Sequence, residues 1–171
     1  KEIIIGGGRP TVLIGERINP TGKKKLTAAL QTGDMEPIKS EALGQVAAGA
    51  DVLDVNVGAM GIDQISILPL AVQHVMKTVD VPLCIDTDNL KALDAALKMY
   101  KGKALVNSVT GEEKSLANVL PLVKQYGAAV IGLVQDEKGI PTNSARRVAI
   151  AHKIVERAEA LGIHRADVII D

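Results

Sequence analysis

Residues 51–57 read Asp51-Val52-Leu53-Asp54-Val55-Asn56-Val57, and residues 82–86 read Pro82-Leu83-Cys84-Ile85-Asp86. Both are short apolar runs that carry polar side chains at or near their ends. Runs rich in Val, Ile and Leu are typical of parallel strands that are buried on both faces. Since a parallel strand needs a crossover connection, usually a helix, we expect each run to be the strand of one βα unit.

The same alternation of a short apolar run and a longer amphipathic segment extends through the whole chain. It predicts six strands joined by five helices, as in a parallel sheet. The predicted strands are residues 11–16, 51–57, 82–86, 104–107, 128–134 and 167–171. The predicted helices are residues 36–48, 63–78, a helix capped by Asp88 or Asn89, 114–126 and 144–161.

Polar side chains near the carboxyl ends of these strands favour a barrel over a doubly wound sheet. They are Glu16, Asp54, Asn56, Asp86, Asn107 and Asp171. Such residues form one ring at the top of a (β/α)8 TIM barrel, where these enzymes place their chemistry. A doubly wound sheet would instead have a glycine-rich first turn, and residues 17–22 lack the G-x-G-x-x-G pattern.

The length of the chain predicts only part of such a barrel. A complete (β/α)8 barrel needs about 250 residues, whereas this chain has 171. We therefore expect a single α/β domain over residues 1–171 that contains about the first five and a half βα units and is truncated at the sixth strand.

Composition excludes several classes of protein. The chain has 20 Lys and Arg against 20 Asp and Glu, which argues against a polyelectrolyte nucleic-acid binder. It has no Phe or Trp and only two Tyr, so an aromatic surface for stacking bases is not expected. No apolar run is long enough to span a membrane, and the one cysteine, Cys84, lies in an apolar strand. These features predict a cytoplasmic protein without membrane or nucleic-acid partners.

Asp86, Asn107 and Asp171 are the ring residues best suited to bind a ligand. Carboxylates only accept hydrogen bonds, while an amide both donates and accepts. This set fits a flat heterocycle that presents N–H donors beside a carbonyl, such as a pterin or guanine, and it would repel a phosphate. No metal site is predicted, because the acids come without a D-x-D loop or a histidine partner.

Structural roles remain open for several of these side chains. Asp54 could orient loop backbone, Asn107 could form a turn, and Glu16 could form an ion pair with Arg17. The buried Cys84 is expected to be an inert apolar residue.

Five motifs in order resemble the pterin-binding barrels. They are residues 14–22 (Ile-Gly-Glu-Arg-Ile-Asn-Pro-Thr-Gly), 54–58 (Asp-Val-Asn-Val-Gly), 84–87 (Cys-Ile-Asp-Thr), 106–108 (Val-Asn-Ser) and 169–171 (Ile-Ile-Asp). The resemblance covers residues 11–171 and is greatest to the methyltetrahydrofolate:corrinoid protein methyltransferases and the folate module of cobalamin-dependent methionine synthase. Dihydropteroate synthase, which gives this barrel type its name, is more distant, because residues 19–23 replace its usual Thr-Pro-Asp-Ser-Phe segment.

This resemblance implies roles for individual residues. Asp86, Asn107 and Asp171 would bind the pterin, and a second tier would comprise Glu16, Asn19, Asp54 and Asn56. Asn107 would also act in catalysis, through a hydrogen-bond network to N5 of the folate, together with a further residue beyond Asp171. The lysines at positions 23–25 are expected in a solvated loop that a folate glutamate tail or an acidic partner could use.

The resemblance also implies an activity. The expected reaction moves the N5 methyl of 5-methyltetrahydrofolate, the substrate, to the Co(I) corrinoid of a partner protein, or the reverse. The corrinoid would be carried by that partner, since this chain lacks the Asp-x-His-x-x-Gly motif, and a homodimer is expected. The alternatives are a non-catalytic folate- or pterin-binding module of a larger assembly, and a dihydropteroate synthase.

Overall fold

The computed structural model describes all residues 1–171 and contains six strands and six α-helices. The strands are β1 (Ile14–Ile18), β2 (Val52–Val55), β3 (Leu83–Asp86), β4 (Leu105–Thr110), β5 (Ala129–Leu133) and β6 (Val168–Ile170). The helices are α1 (Lys24–Thr32), α2 (Glu36–Ala47), α3 (Gln64–Thr78), α4 (Leu90–Met99), α5 (Glu113–Tyr126) and α6 (Ser144–Ala160), and a 3-10 turn, Arg165–Asp167, precedes β6. The predicted alternation of strands and helices is confirmed.

The chain forms two compact units, Lys1–Gly102 and Lys103–Asp171. In the first unit β2 lies between β1 and β3, and in the second unit β5 lies between β4 and β6. All four of these pairings are parallel. Each unit therefore contains three parallel strands that are connected by helices.

Apolar strand residues and one stripe of each helix form the core. Leu53, Val55 and Ile85 are fully buried in the strands of the first unit, and Ala71 and Val75 of α3 are equally buried. In the second unit the same holds for Val106 and Val130 in the strands, for Val123 of α5 and for Ile154 of α6. Branched aliphatic side chains thus fill an interior that has no Phe or Trp.

Polar side chains cap the helices that lead away from the strands. Asn89 Oδ1 accepts the N–H groups of Lys91 and Ala92 at 3.1 and 3.2 Å, which confirms Asn89 as the cap of α4. Asp63 and Asn143 cap α3 and α6 in the same way. These caps satisfy backbone donors that would otherwise lack partners at the helix N-termini.

Three element predictions were wrong. Helix α1 was not predicted, because only Leu26 and Leu30 in it are buried and a run of lysines precedes them. Strand β1 begins at Ile14, since its ladder with β2 starts at Val52. Strand β4 continues to Thr110, so Asn107 lies within the strand and not at its end.

None of the helices is long and apolar enough to cross a membrane.

Candidate functional site

In the first unit, several polar side chains lie on the sheet face that points away from helix α2. A Cβ atom on Gly15 would lie 2.5 Å from Gln45 Oε1, so Gly15 faces α2. Side chains alternate along a strand, and the next residue, Glu16, therefore faces the opposite side. Asp54 pairs in register with Cys84. Asn56 lies two residues after Asp54, and Asp86 lies two residues after Cys84. Because every second residue along a strand faces the same side of the sheet, Asn56 and Asp86 lie on the same face as Asp54 and Cys84.

An oriented pair of side chains, Asn56 and Asp86, lies at the carboxyl ends of β2 and β3. Asn56 Nδ2 donates to Asp86 Oδ2 at 2.8 Å. The Gly58 N–H donates to Asn56 Oδ1 at 2.7 Å, which fixes which end of the amide faces the carboxylate. Asp86 Oδ2 is thus held by Asn56, and the carboxylate has further lone pairs with which it can accept hydrogen bonds from a ligand.

The environment of Asp86 disfavours its charge. Burial raises the pKa of the Asp86 carboxyl above its ordinary value, and the negative charges of Glu16 and Asp88 raise it further. The bond from Asn56 acts in the opposite direction, because it stabilises the ionised form. No lysine or arginine in the first unit pairs with this carboxylate. Asp86 is therefore a half-buried acid whose ionised form a ligand with hydrogen-bond donors could stabilise.

A cavity of about 420 Å³ opens beside this pair. It is lined by Asn56, Gly58, Ala59, Gln64, Asp86, Thr87 and Asp88. Thr87 Oγ1 donates to Gln64 Oε1 at 2.9 Å and accepts the N–H of Asn89 at 3.1 Å. The wall of the cavity is thus tied to the first turns of helices α3 and α4.

The remaining predicted residues of the first unit occupy different environments. Asp54 is only 2% exposed. Burial, followed by the charge of Asp54, raises the pKa of the Cys84 thiol, which stays protonated and unreactive as expected. Asn19 Oδ1 accepts the Thr21 N–H at 2.9 Å and so forms a turn. Arg17 pairs with Glu41 at 2.8 Å and not with Glu16, so the alternative ion pair does not form.

In the second unit, Asn107 and Asp171 share one face of the sheet. Asn107 pairs with Ile131, and Ile131 pairs with Ile169. The Asp171 N–H donates to Gly132 O at 3.0 Å, so the ladder continues through Asp171. A Cβ atom on Gly132 would lie 3.0 Å from Ile154 of α6, so the residues on either side of it face away from that helix. Asn107 and Asp171 therefore lie on the face opposite α6.

The structure thus groups Glu16, Asp54, Asn56 and Asp86 in one unit and Asn107 and Asp171 in the other. That all of them contact one ligand remains a prediction. Sequence reasoning missed Gln64, Thr87 and the Gly58 N–H as parts of the site. Thr87 directly follows Asp86 and could have been found for that reason, whereas nothing local marks Gln64. No group of three or more His, Cys, Asp or Glu side chains could hold a metal ion.

Comparison with solved structures shows the fold. A dihydropteroate synthase of Clostridium difficile superposes with a TM-score of 0.73 at 20% identity, over 96% of this chain and 64% of that one. A 7,8-dihydropteroate synthase of Vibrio fischeri superposes with a TM-score of 0.71 at 18% identity, over 98% and 66%. These likenesses confirm the predicted fold class, a (β/α)8 barrel of the dihydropteroate synthase type, for the part of a barrel present here.

Curated relatives are more similar in sequence. Over 153 residues the chain is 31% identical to the methylcorrinoid:tetrahydrofolate methyltransferase of Eubacterium limosum, which covers 86% of this chain and 55% of that protein. Over 166 residues it is 28% identical to the methionine synthase of Mycobacterium tuberculosis, covering 94% and 14%. The chain therefore spans about half the length of the first relative and a small part of the second.

A family model described as pterin binding enzyme matches residues 15–171. The match begins within β1 and includes every predicted site residue, from Glu16 to Asp171. The chain belongs to the family of pterin-binding enzymes.

Proposed function

We propose that this chain binds 5-methyltetrahydrofolate and takes part in methyl transfer between N5 of the folate and the corrinoid of a partner protein, in either direction. Two relatives support this proposal by their names, methionine synthase and methylcorrinoid:tetrahydrofolate methyltransferase. The family supplies the ligand class, since pterin is the heterocycle of folate. The observation that carries the proposal is the Asn56–Asp86 pair.

The pterin ring can supply hydrogen-bond donors to the Asp86 carboxylate. Its pyrimidine half presents an amino group and a ring N–H side by side, as a guanidine does. A carboxylate can accept two such parallel bonds, and charge-assisted bonds of this kind are stronger than neutral ones. Asn56 already holds Oδ2 in place, which leaves Oδ1 and the second lone pair of Oδ2 for the ligand. The donors of the ring would thus offset the desolvation of Asp86.

The chemical difficulty of the reaction lies at N5. An amine nitrogen is a poor leaving group unless it gains a proton or a strong hydrogen bond as the methyl departs. Asn107 would belong to the hydrogen-bond network that shares this proton, because an amide can donate at one atom and accept at the other. Holding the folate in one orientation would add an entropic contribution to the rate.

The corrinoid would supply the nucleophile, or the methyl donor in the reverse direction. Because the Asp-x-His-x-x-Gly motif is absent from the sequence, we assign the corrinoid to a partner protein. In this proposal the chain binds and orients the folate and supplies the hydrogen bonds that share the proton at N5. Association with a corrinoid protein, and a homodimeric state, belong to the proposal.

The proposal is tested by the affinity of the protein for 5-methyltetrahydrofolate. Asp86→Ala removes the acceptor, and a charged hydrogen bond of about 1.5–3 kcal/mol corresponds to a roughly 10- to 150-fold weaker Kd. Asp80→Ala is the matched control, because Asp80 is an acid of the same unit whose side chain is 93% exposed. Unchanged affinity in the Asp86 variant, or no folate binding by the wild type, would refute the assignment.

A further inference from the structure

The hydroxyl group of Thr87, the residue directly after Asp86, connects two helices of the first unit. Strand β3 ends at Asp86, so Thr87 is the first residue of the loop that leads to α4. Its Oγ1 atom donates a hydrogen bond to Gln64 Oε1 at 2.9 Å and accepts the N–H of Asn89 at 3.1 Å. The hydroxyl proton and one oxygen lone pair are thus both used within the protein. Thr87 is therefore held between the first residue of α3 and the cap of α4.

Gln64, which accepts the bond from Thr87, lies at a well-anchored helix start. The cap of α3 is Asp63, whose carboxylate accepts the Ile65 N–H at 3.1 Å and the Ser66 hydroxyl at 2.7 Å. These bonds fix the first turn of the helix, which begins at Gln64 itself. The start of α3 is thus a fixed attachment point for the loop that follows Asp86.

The segment that joins β2 to α3 holds Asp86 from two directions. Asn56 donates to its carboxylate directly at 2.8 Å, whereas Gln64 binds the side chain of the next residue along the chain. The two amides lie on either side of Gly58, where a Cβ atom would lie 3.2 Å from Asn56 Oδ1 and 3.7 Å from Gln64 Nε2. The bond from Asn56 orients the carboxylate, and the bond to Gln64 restrains the backbone from which that carboxylate extends.

The orientation of Asp86 matters because the proposed ligand is flat. A carboxylate that accepts two parallel bonds from one edge of a ring must lie close to the plane of that ring, since hydrogen bonds weaken steeply as their angles close. A binding group reaches its full effect only when the residues behind it hold it within about 0.5 Å of the productive geometry. A restraint on the backbone next to Asp86 meets this requirement.

We propose that Gln64 and Thr87 are positioning residues for Asp86, and that their hydrogen bond sets the angle at which the carboxylate meets the pterin. They act through Asp86 and not by contact with the ligand. This inference rests on the proposed function and extends the site to the first turn of α3.

The test is a double-mutant cycle read out by equilibrium binding of 5-methyltetrahydrofolate to the protein that carries this chain. Gln64→Met keeps the length of the side chain but removes the acceptor, and folate affinity should fall roughly 2- to 10-fold, the range for one neutral hydrogen bond. In an Asp86→Ala background the same change should have almost no effect, because no carboxylate is left to position. A purely structural role would not produce this coupling.

Two variants of Thr87 provide an independent measurement. Thr87→Val keeps the branched shape without the hydroxyl and should weaken folate binding at least as much as Gln64→Met, because the bond to Asn89 is also lost. Thr87→Ser keeps the hydroxyl and should bind folate nearly as the wild type does. If Thr87→Val does not fold, the Gln64 variant still decides the question, since it leaves the Asn89 bond in place.

The matched control is Gln73→Met, the same substitution at a half-buried position of the same helix. Position 73 lies about 13 Å further along α3, and its variant should keep wild-type affinity. Wild-type affinity in Gln64→Met would overturn the inference. Equal losses with and without the Asp86 carboxylate would also overturn it, because Gln64 would then contact the ligand or act on the fold as a whole. Unchanged affinity in Asp86→Ala alone would instead refute the proposed function, and the inference with it.

Discussion

At the scale of single residues, Asp86 is placed where an ionised carboxylate is unfavourable. It is half-buried, two other acids raise its pKa, and Asn56 donates a hydrogen bond that stabilises its charge. A residue kept for stability alone would have a cationic partner or an apolar replacement. The arrangement is the one expected of a binding residue, whose environment is completed by the ligand.

Asp86→Asn should separate binding from stability. Because folding raises the pKa of Asp86, ionisation of this carboxyl destabilises the native state. The contribution of Asp86 to stability is complete below the pKa that it has in the unfolded chain, and it is lost as pH rises through the pKa that it has in the folded protein. The amide cannot ionise, and its oxygen can still accept from Asn56. We therefore expect the variant to gain in Tm relative to wild type between about pH 4 and pH 7, while folate binding weakens. A variant that is less stable at pH 7 than wild type would assign Asp86 a structural role.

Asn56→Ala should shift the pH dependence of folate binding. Asp86 can accept both pterin donors, with charge assistance, only when it is ionised, so affinity is lost as pH falls through its pKa. Without the Asn56 bond that pKa rises further, and the midpoint of the affinity loss moves to higher pH. Kd measured from pH 4 to pH 8, with non-ionisable Asp86→Asn as the control, checks this. An unchanged midpoint would show that Asn56 does not tune the carboxylate.

The candidate residues differ in how far the sequence could predict them. Asp86 and Asn56 are polar residues near the ends of apolar runs, and this position is enough to identify them as candidate binding residues from the sequence. The hydrogen bond between them joins residues from different strands and needs the register of β2 with β3, which no local pattern supplies. Gln64 reaches Thr87 from the first turn of α3, and an isolated glutamine in a helix carries no signal of that contact.

At the scale of elements, β1 and α2 pack closely through Gly15 and Gln45. Gln45 is only 6% exposed. It accepts the Arg17 N–H at 2.8 Å and donates to Glu41 O at 3.2 Å. A Cβ atom on Gly15 would lie 2.5 Å from Gln45 Oε1 and 3.2 Å from the Ala50 Cβ. The glycine thus allows the strand that carries Glu16 to approach this helix.

Gly15→Ala should destabilise the protein, because the added methyl forces the buried Gln45 to move. Overpacking of this kind costs about 1–3 kcal/mol. Gly44→Ala is the matched control, since Gly44 lies within α2 and its Cβ would meet nothing within 4 Å. There the same change should stabilise the helix by about 0.5–1 kcal/mol. Urea unfolding measures both free energies, and equal shifts in the two variants would contradict the packing described here.

The elements show what periodicity can and cannot predict. Helices with a broad buried stripe, such as α5 and α6, were found within one residue of their ends. Helix α1 buries only Leu26 and Leu30, so its pattern resembles that of a polar loop. The length of β4 was underestimated because Asn107 and Ser108 interrupt the apolar run, although the ladder with β5 continues to Thr110.

At the scale of the whole molecule, the predicted pterin ligands come from both compact units. Asp86 belongs to the first unit, and Asn107 and Asp171 belong to the second. Under the proposed function they have different tasks: Asp86 would bind the ring, and Asn107 would act on the proton at N5. An interaction made equally in the ground state and the transition state affects binding alone, while one that strengthens in the transition state also affects kcat. This difference can be measured.

The most direct test is single-turnover methyl transfer from 5-methyltetrahydrofolate to a Co(I) corrinoid protein over a range of folate concentrations. We expect wild type to transfer the methyl, Asp86→Ala to require more folate while nearly keeping its maximal rate, and Asn107→Ala to lose maximal rate as well. Tight folate binding by the wild type without any methyl transfer would identify a binding module and contradict the proposed activity. Unchanged folate dependence and unchanged rate in both variants would show that Asp86 and Asn107 are structural residues and that the pterin site lies elsewhere.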